Sequence, residues 1–155
     1  MSLKRTATVL AALLGVGIIL VGGRFLLDPT GAAAGFGVPS RPHGQAAAYL
    51  QIKGVRDIVS GLVPLALLVA GQRRALGWAM LFETLTPISD MIIVLTHGGP
   101  AVVAFGVHGA TAAVVLMTAA LLLRERPGQV TPATARLRGS IRRGRMTDRR
   151  SVFVR

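Results

Sequence analysis

Four apolar runs, at about 7–27, 49–71, 75–95 and 101–123, take up most of this 155-residue chain. Each is close to the ~20 residues that cross a hydrocarbon layer as a helix. Inside such a layer there is no water to satisfy backbone amides, so runs of this length are expected to be helical and to pack side by side. The expected fold is all-α: a polytopic membrane protein whose residues 1–123 form a four-transmembrane-helix bundle. A basic tail, 124–155, with no apolar periodicity reads as mostly disordered.

Composition agrees with this. Hydrophobic residues make up 52% and charged residues 15%, against about 25% charged in a soluble domain. The absence of cysteine excludes disulfides, thiolate nucleophiles and Cys-ligated metals. The net charge of +12 is uneven. From Arg124 onward, ten arginines stand against Glu125 and Asp148, so eight of the twelve net charges belong to the tail.

Lys4 and Arg5 precede the first run as they would in a signal peptide. Its apolar core exceeds the usual ~7–15 residues and no small-x-small site follows directly, so a retained helix is expected. Basic residues also set the orientation. Lys4 and Arg5, Arg73 and Arg74, and the Arg-rich tail all fall at one set of ends, whereas the outer connections hold only Arg41. The positive-inside rule then predicts a multi-pass inner (plasma) membrane protein with both termini cytoplasmic. The long outer connection, DPTGAAAGFGVPSRPHGQAAA, starts at Asp28-Pro29, where a helix should stop. A short element over the mouth of the bundle is expected for AAAGFGV.

The second and third runs carry charges that hydrocarbon penalises by roughly 2.5–3.5 kcal/mol each. Helical spacing puts Lys53, Arg56, Asp57, Ser60, Gly61 and Pro64 on one stripe, and Glu83, Thr86, Pro87, Asp90 and His97 on another. Ala104, His108, Thr111 and Thr118 make a looser third, and Arg24 and Asp28 lie four apart at the end of the first run. At ~1.5 Å per residue, Arg24, Lys53, Arg56, Asp57, Asp90 and His108 fall at similar depths in the outer half of the layer. Glu83 sits near mid-layer with no basic residue expected at its level.

Arg24, Asp28, Lys53, Arg56, Asp57, Glu83, Asp90 and His108 are therefore the ligand-binding or proton-handling candidates. A purely structural role stands beside this, because buried ion pairs also fix helix register. Pro64 and Pro87 should bend their helices and free backbone groups toward a cavity. Gly15, Gly17, Gly109 and Ala113 read as close-packing surfaces. His97, His108 and Asp90 match no metal-ligand spacing, so neither a metal site nor a cofactor is expected.

The runs GRFLLDPTGAAAGFGVP, KGVRDIVSGL and TPISDMIIVL resemble a family of small four-helix membrane proteins catalogued as domain of unknown function 4267. Arg24-Phe25 with Asp28-Pro29, Gly54-x-Arg56-Asp57 with Gly61, and Asp90 carry the resemblance, which covers about 7–123. It implies four spans and a polar site of unknown purpose, and brings no activity with it. The architecture is distantly similar to that of DoxX-type proteins.

The expected function is binding or permeation of a hydrophobic or anionic small molecule, or a lipid, in a charged pocket in the outer half of the bilayer. Arg56, Lys53 and Arg24 would engage the molecule, and the carboxylates would balance charge or carry protons. An intramembrane acid–base enzyme, isomerase-like and using Asp90 or Glu83, is the first alternative, and an accessory scaffold subunit the second. The reading leans away from an enzyme. Anionic lipid headgroups are the expected partners of the tail; nucleic acid is not, since only Phe153 is aromatic there. A permeation path would require protomers to associate.

Overall fold

The computed structural model describes residues 3–39 and 42–125, so Arg41 and the tail from residue 126 onward lie outside the described residues. All regular structure among the described residues is helical. The first helix, α1, runs Leu3–Leu27 and is followed by a short α2, Pro29–Ala34. A 3₁₀ turn at Gly44–Ala46 leads into α3, Ala47–Val69. The third apolar run is two helices, α4 (Arg73–Glu83) and α5 (Leu85–Thr96), that meet at Thr84. The last run opens with one turn, α6 (Ala101–Val103), passes through a π-helical turn at Ala104–Gly109 and continues as α7, Ala110–Arg124.

Three helical stretches, Leu3–Leu27, Arg73–Thr96 and Ala101–Arg124, are long and apolar enough to cross a membrane by length and composition. The α3 helix has the length, at 23 residues, but carries Lys53, Arg56 and Asp57.

The boundaries have local causes. Asp28 leaves the helical region before Pro29, and its Oδ1 accepts the Gly31 N–H at 2.9 Å, capping α2. At the end of α3, Gly71 adopts a left-handed φ of 68°. The Gln72 N–H then reaches back to the Leu67 carbonyl at 2.9 Å, and the Gly71 N–H to Leu68 at 3.1 Å. Gly98 and Gly99 close α5 in the same way, on the Leu95 and Val94 carbonyls. Glycine suits these two positions because a side chain there would be strained.

Two kinds of packing hold the helices. Ala7 and Ala11 of α1, Leu76 and Met80 of α4, and Val115, Ala119 and Leu122 of α7 form a buried apolar cluster near one end. The α1–α3 seam is built on glycine instead. Gly15 and Gly22 are seven apart, as are Gly54 and Gly61, and the helices run antiparallel so that Gly15 meets Gly61 and Gly22 meets Gly54. A Cβ on Gly22 would stand 2.5 Å from the Gly54 carbonyl oxygen. Backbones this close exclude any side chain at the crossing. Gly17 and Ala113, expected at packing surfaces, are not in one. A Cβ on Gly17 would meet nothing within 4 Å, and Ala113 is exposed.

Candidate functional site

A cavity of about 630 Å³ lies among α1, α3, the α4–α5 pair, the π turn with α7, and the loop after α2. Of the eight predicted site residues, Arg24, Lys53, Asp57, Glu83, Asp90 and His108 line it; Asp28 and Arg56 do not. Asp28 is exposed and is used as the α2 cap. Arg56 is exposed for a rotational reason. Taking Lys53 as zero, ~100° per residue puts Asp57, Ser60 and Pro64 within roughly 40° of it, Gly54 and Gly61 roughly 80–100° to one side, and Arg56 roughly 60° to the other. The first set faces the cavity, the glycines face α1, and Arg56 is left on the outer surface.

At the upper wall, Lys53 Nζ donates to Asp57 Oδ2 at 2.6 Å. Asp57 is 6% exposed and the Lys53 side chain 27%, so the pair is buried on its carboxylate side. The ammonium also sits 4.6 Å from the centre of the Phe25 ring and 4.9 Å from that of Phe36. The two rings meet edge to face, 6.0 Å apart. Lys53 is thus fully engaged by one carboxylate and two aromatic faces.

Opposite, His108 Nε2 lies 2.9 Å from the Phe36 carbonyl oxygen. A carbonyl can only accept, so Nε2 carries a proton and Nδ1 is turned toward Asp90, whose Oδ2 is 3.9 Å away. That distance is too long for a hydrogen bond. The π turn matters here. Ala104 and His108, both buried, lie four apart within it.

Deeper in the cavity stand Ser60, Pro64, Glu83, Thr86 and Pro87. The side wall is apolar. Leu13, Gly17 and Val21 of α1 face Val107, Thr111 and Val114 of the last run, and Leu13, Val21, Val107 and Thr111 are exposed as well as lining the cavity. The cavity therefore opens sideways between α1 and the last run.

A second polar cluster lies at the far end. Arg73 forks onto Glu125, with Nη2 2.6 Å from Oε1, while Nη1 donates to Thr8 Oγ1 at 2.9 Å and Nη2 to the Lys4 carbonyl at 3.2 Å. Three helix ends are joined there. The guanidinium hydrogen bond holds the Glu125 carboxyl below the usual carboxylate range, and partial burial opposes it.

Sequence reasoning missed Phe25 and Phe36 as site residues, and Glu125 as the partner of Arg73. Phe36 was visible as the single large ring in a loop of Gly, Ala and Pro; nothing in the sequence showed that its carbonyl would hold His108.

Among the described residues the chain is thus all-helical, with three helical stretches suited to crossing a membrane and a polar cavity between its helices. It belongs to the family described as Domain of unknown function (DUF4267), which matches residues 15–122. The matched stretch contains every polar residue of the cavity wall. No curated protein and no solved structure matches the chain.

Proposed function

We propose that this protein is an integral membrane protein of four spans, the fourth being α3, that binds a membrane-dissolved amphiphile in its cavity. The cavity carries the reading: polar groups from every span gather inside, and the wall between α1 and the last run is apolar and open sideways. A ligand arriving from the bilayer would meet no polar barrier there. The outer faces support the four spans, since Leu13, Leu20, Phe82 and Val102 are 65%, 68%, 65% and 83% exposed. Such a surface suits lipid rather than water. The charges of α3 are compatible with a span because Lys53 and Asp57 turn inward as a pair, while Arg56 can snorkel along the surface. Lys4, Arg73 and Glu125 share one end, which supports both termini on the cytoplasmic side of the plasma membrane.

Native mass spectrometry of protein extracted in mild detergent tests this. The expected result is a bound amphiphile that Gly17→Phe displaces, since a ring there would project into the cavity. A wild-type protein that carries none, and whose melting is unmoved by added amphiphiles, would sink the proposal.

The Asp90–His108 contact favours a second reading, an acid–base enzyme acting on the bound molecule. It requires turnover by the purified protein that Asp90→Asn abolishes.

A further inference from the structure

Pro64 and Pro87 have no amide hydrogen, so the Ser60 and Glu83 carbonyls cannot accept the bond that normally arrives from four residues on. Both prolines are buried, and both line the cavity together with Ser60 and Glu83. The Ser60 and Glu83 side chains line the same cavity. Two helices therefore bring a carboxylate, a hydroxyl and two under-used carbonyls to one part of the cavity, below the Lys53–Asp57 pair.

This group is rich in acceptors and short of donors. Among the described residues Glu83 has no ion-pair partner; Lys53 is held by Asp57, and Arg73 by Glu125. The cavity as a whole leans the same way. Arg24 and Lys53 stand against Asp57, Glu83 and Asp90 before His108 is counted. An anionic headgroup would meet the wrong charge at this depth. A compact cation would meet oxygen ligands, as cations do where a broken helix exposes its carbonyls.

We propose that the cavity floor is a binding site for a compact cation, either the ammonium head of an amphiphile or a free monovalent metal ion. Glu83, the Ser60 hydroxyl and the two proline-freed carbonyls supply the ligands. As an ammonium head, the occupant would lay its chain in the opening beside Gly17, and in that form the site rests on the amphiphile reading. As a free ion it stands without it.

Melting of the full-length chain in a non-ionic detergent tests the site. Sodium, potassium and ammonium chloride are compared with choline chloride at constant ionic strength, and dodecylamine with dodecanol. At least one compact cation or dodecylamine is expected to raise the melting temperature saturably. Glu83→Gln should weaken that response about tenfold or more, Ser60→Ala less, and Glu83→Asp should retain most of it. Ser60→Ala carries the test if Glu83→Gln does not fold. Stabilisation by dodecylamine alone assigns the headgroup and supports both proposals. Stabilisation by the ions alone supports the cation site and removes the amphiphile. Equal responses to dodecylamine and dodecanol, unchanged by Glu83→Gln, overturn the cation site while the amphiphile reading survives. No response to any of them overturns both.

Discussion

At the end where Lys4, Arg73 and Glu125 meet, the helices touch; toward the loop after α2 they part. The same α1 does both. Its Ala7 and Ala11 let α7 approach closely, and Leu76 and Met80 of α4 reach in to complete the cluster with Leu122. Farther along, its Gly15 and Gly22 commit it to α3, and α7 is left on the other side of the cavity. Small residues thus serve opposite ends: alanines close one region, while glycines bind a single pair of helices and let a third diverge. The closed end is apolar with one ion-pair clamp at its edge. The open end holds a paired lysine, an acid–base contact and unpaired acceptors.

The sharpest way to break this comparison is to separate α1 from α3. A side chain at Gly61 would collide with the Gly15 carbonyl and come within 2.8 Å of Ile18 Cγ2. Overpacking of this kind usually costs about 1–3 kcal/mol, and more where backbone stands in the way. Gly61→Val is expected to prevent assembly, seen as loss of a monodisperse, folded species in detergent. A variant that melts like wild type would mean that the glycine seam does not organise the open end.

Asp57→Asn comes next. It leaves Lys53 with the two rings but no counter-charge, and breaking a buried pair costs about 3–5 kcal/mol. Lys53→Met with Asp57→Asn should recover much of that loss. Failure to recover would mean that Asp57 serves something other than Lys53.

Much of this architecture was legible from period and composition. The Asp28-Pro29 stop and most of the inward stripe of α3 are local patterns that a helix converts directly into geometry, whereas the seven-residue register of Gly15 with Gly22 and Gly54 with Gly61 emerged only from the packing. Arg56 could not be told from Asp57 by spacing, because both lie within one polar arc; the choice depended on where α1 docks. The π turn was invisible as well, since nothing in AFGVHG announces it. Gly17 looked like Gly15, yet it is out of the seven-residue register of Gly15 and Gly22 and faces space.

The closed end offers a smaller effect. The Arg73–Glu125 clamp involves charged hydrogen bonds, so Glu125→Ala is expected to cost about 1–3 kcal/mol at neutral pH. Because Arg73 lowers the Glu125 carboxyl, the clamp's contribution is complete above the unfolded glutamate value, about 4.3. It is lost as pH falls through the lower folded value. Wild type and Glu125→Ala should therefore melt furthest apart near neutrality and converge in acid. A gap that stays constant with pH would show that packing, not charge, is what the variant removes.

The smallest change in stability should come at Gly17, where the comparison makes its least intuitive claim. The residue lies in a helix interior between two glycines that tolerate nothing, and glycine is disfavoured in a helix by about 1 kcal/mol relative to alanine. Since a Cβ there meets no atom within 4 Å, Gly17→Ala should leave the melting temperature unchanged or raise it slightly, whereas the same change at Gly22 should lower it. Gly17→Phe extends the test from stability to the cavity itself: folding should persist, because the ring enters open space, while binding of a bilayer-derived amphiphile should be lost. If Gly17→Phe destabilises as Gly22→Ala does, α1 packs against the last run along its whole length and the sideways opening is not there.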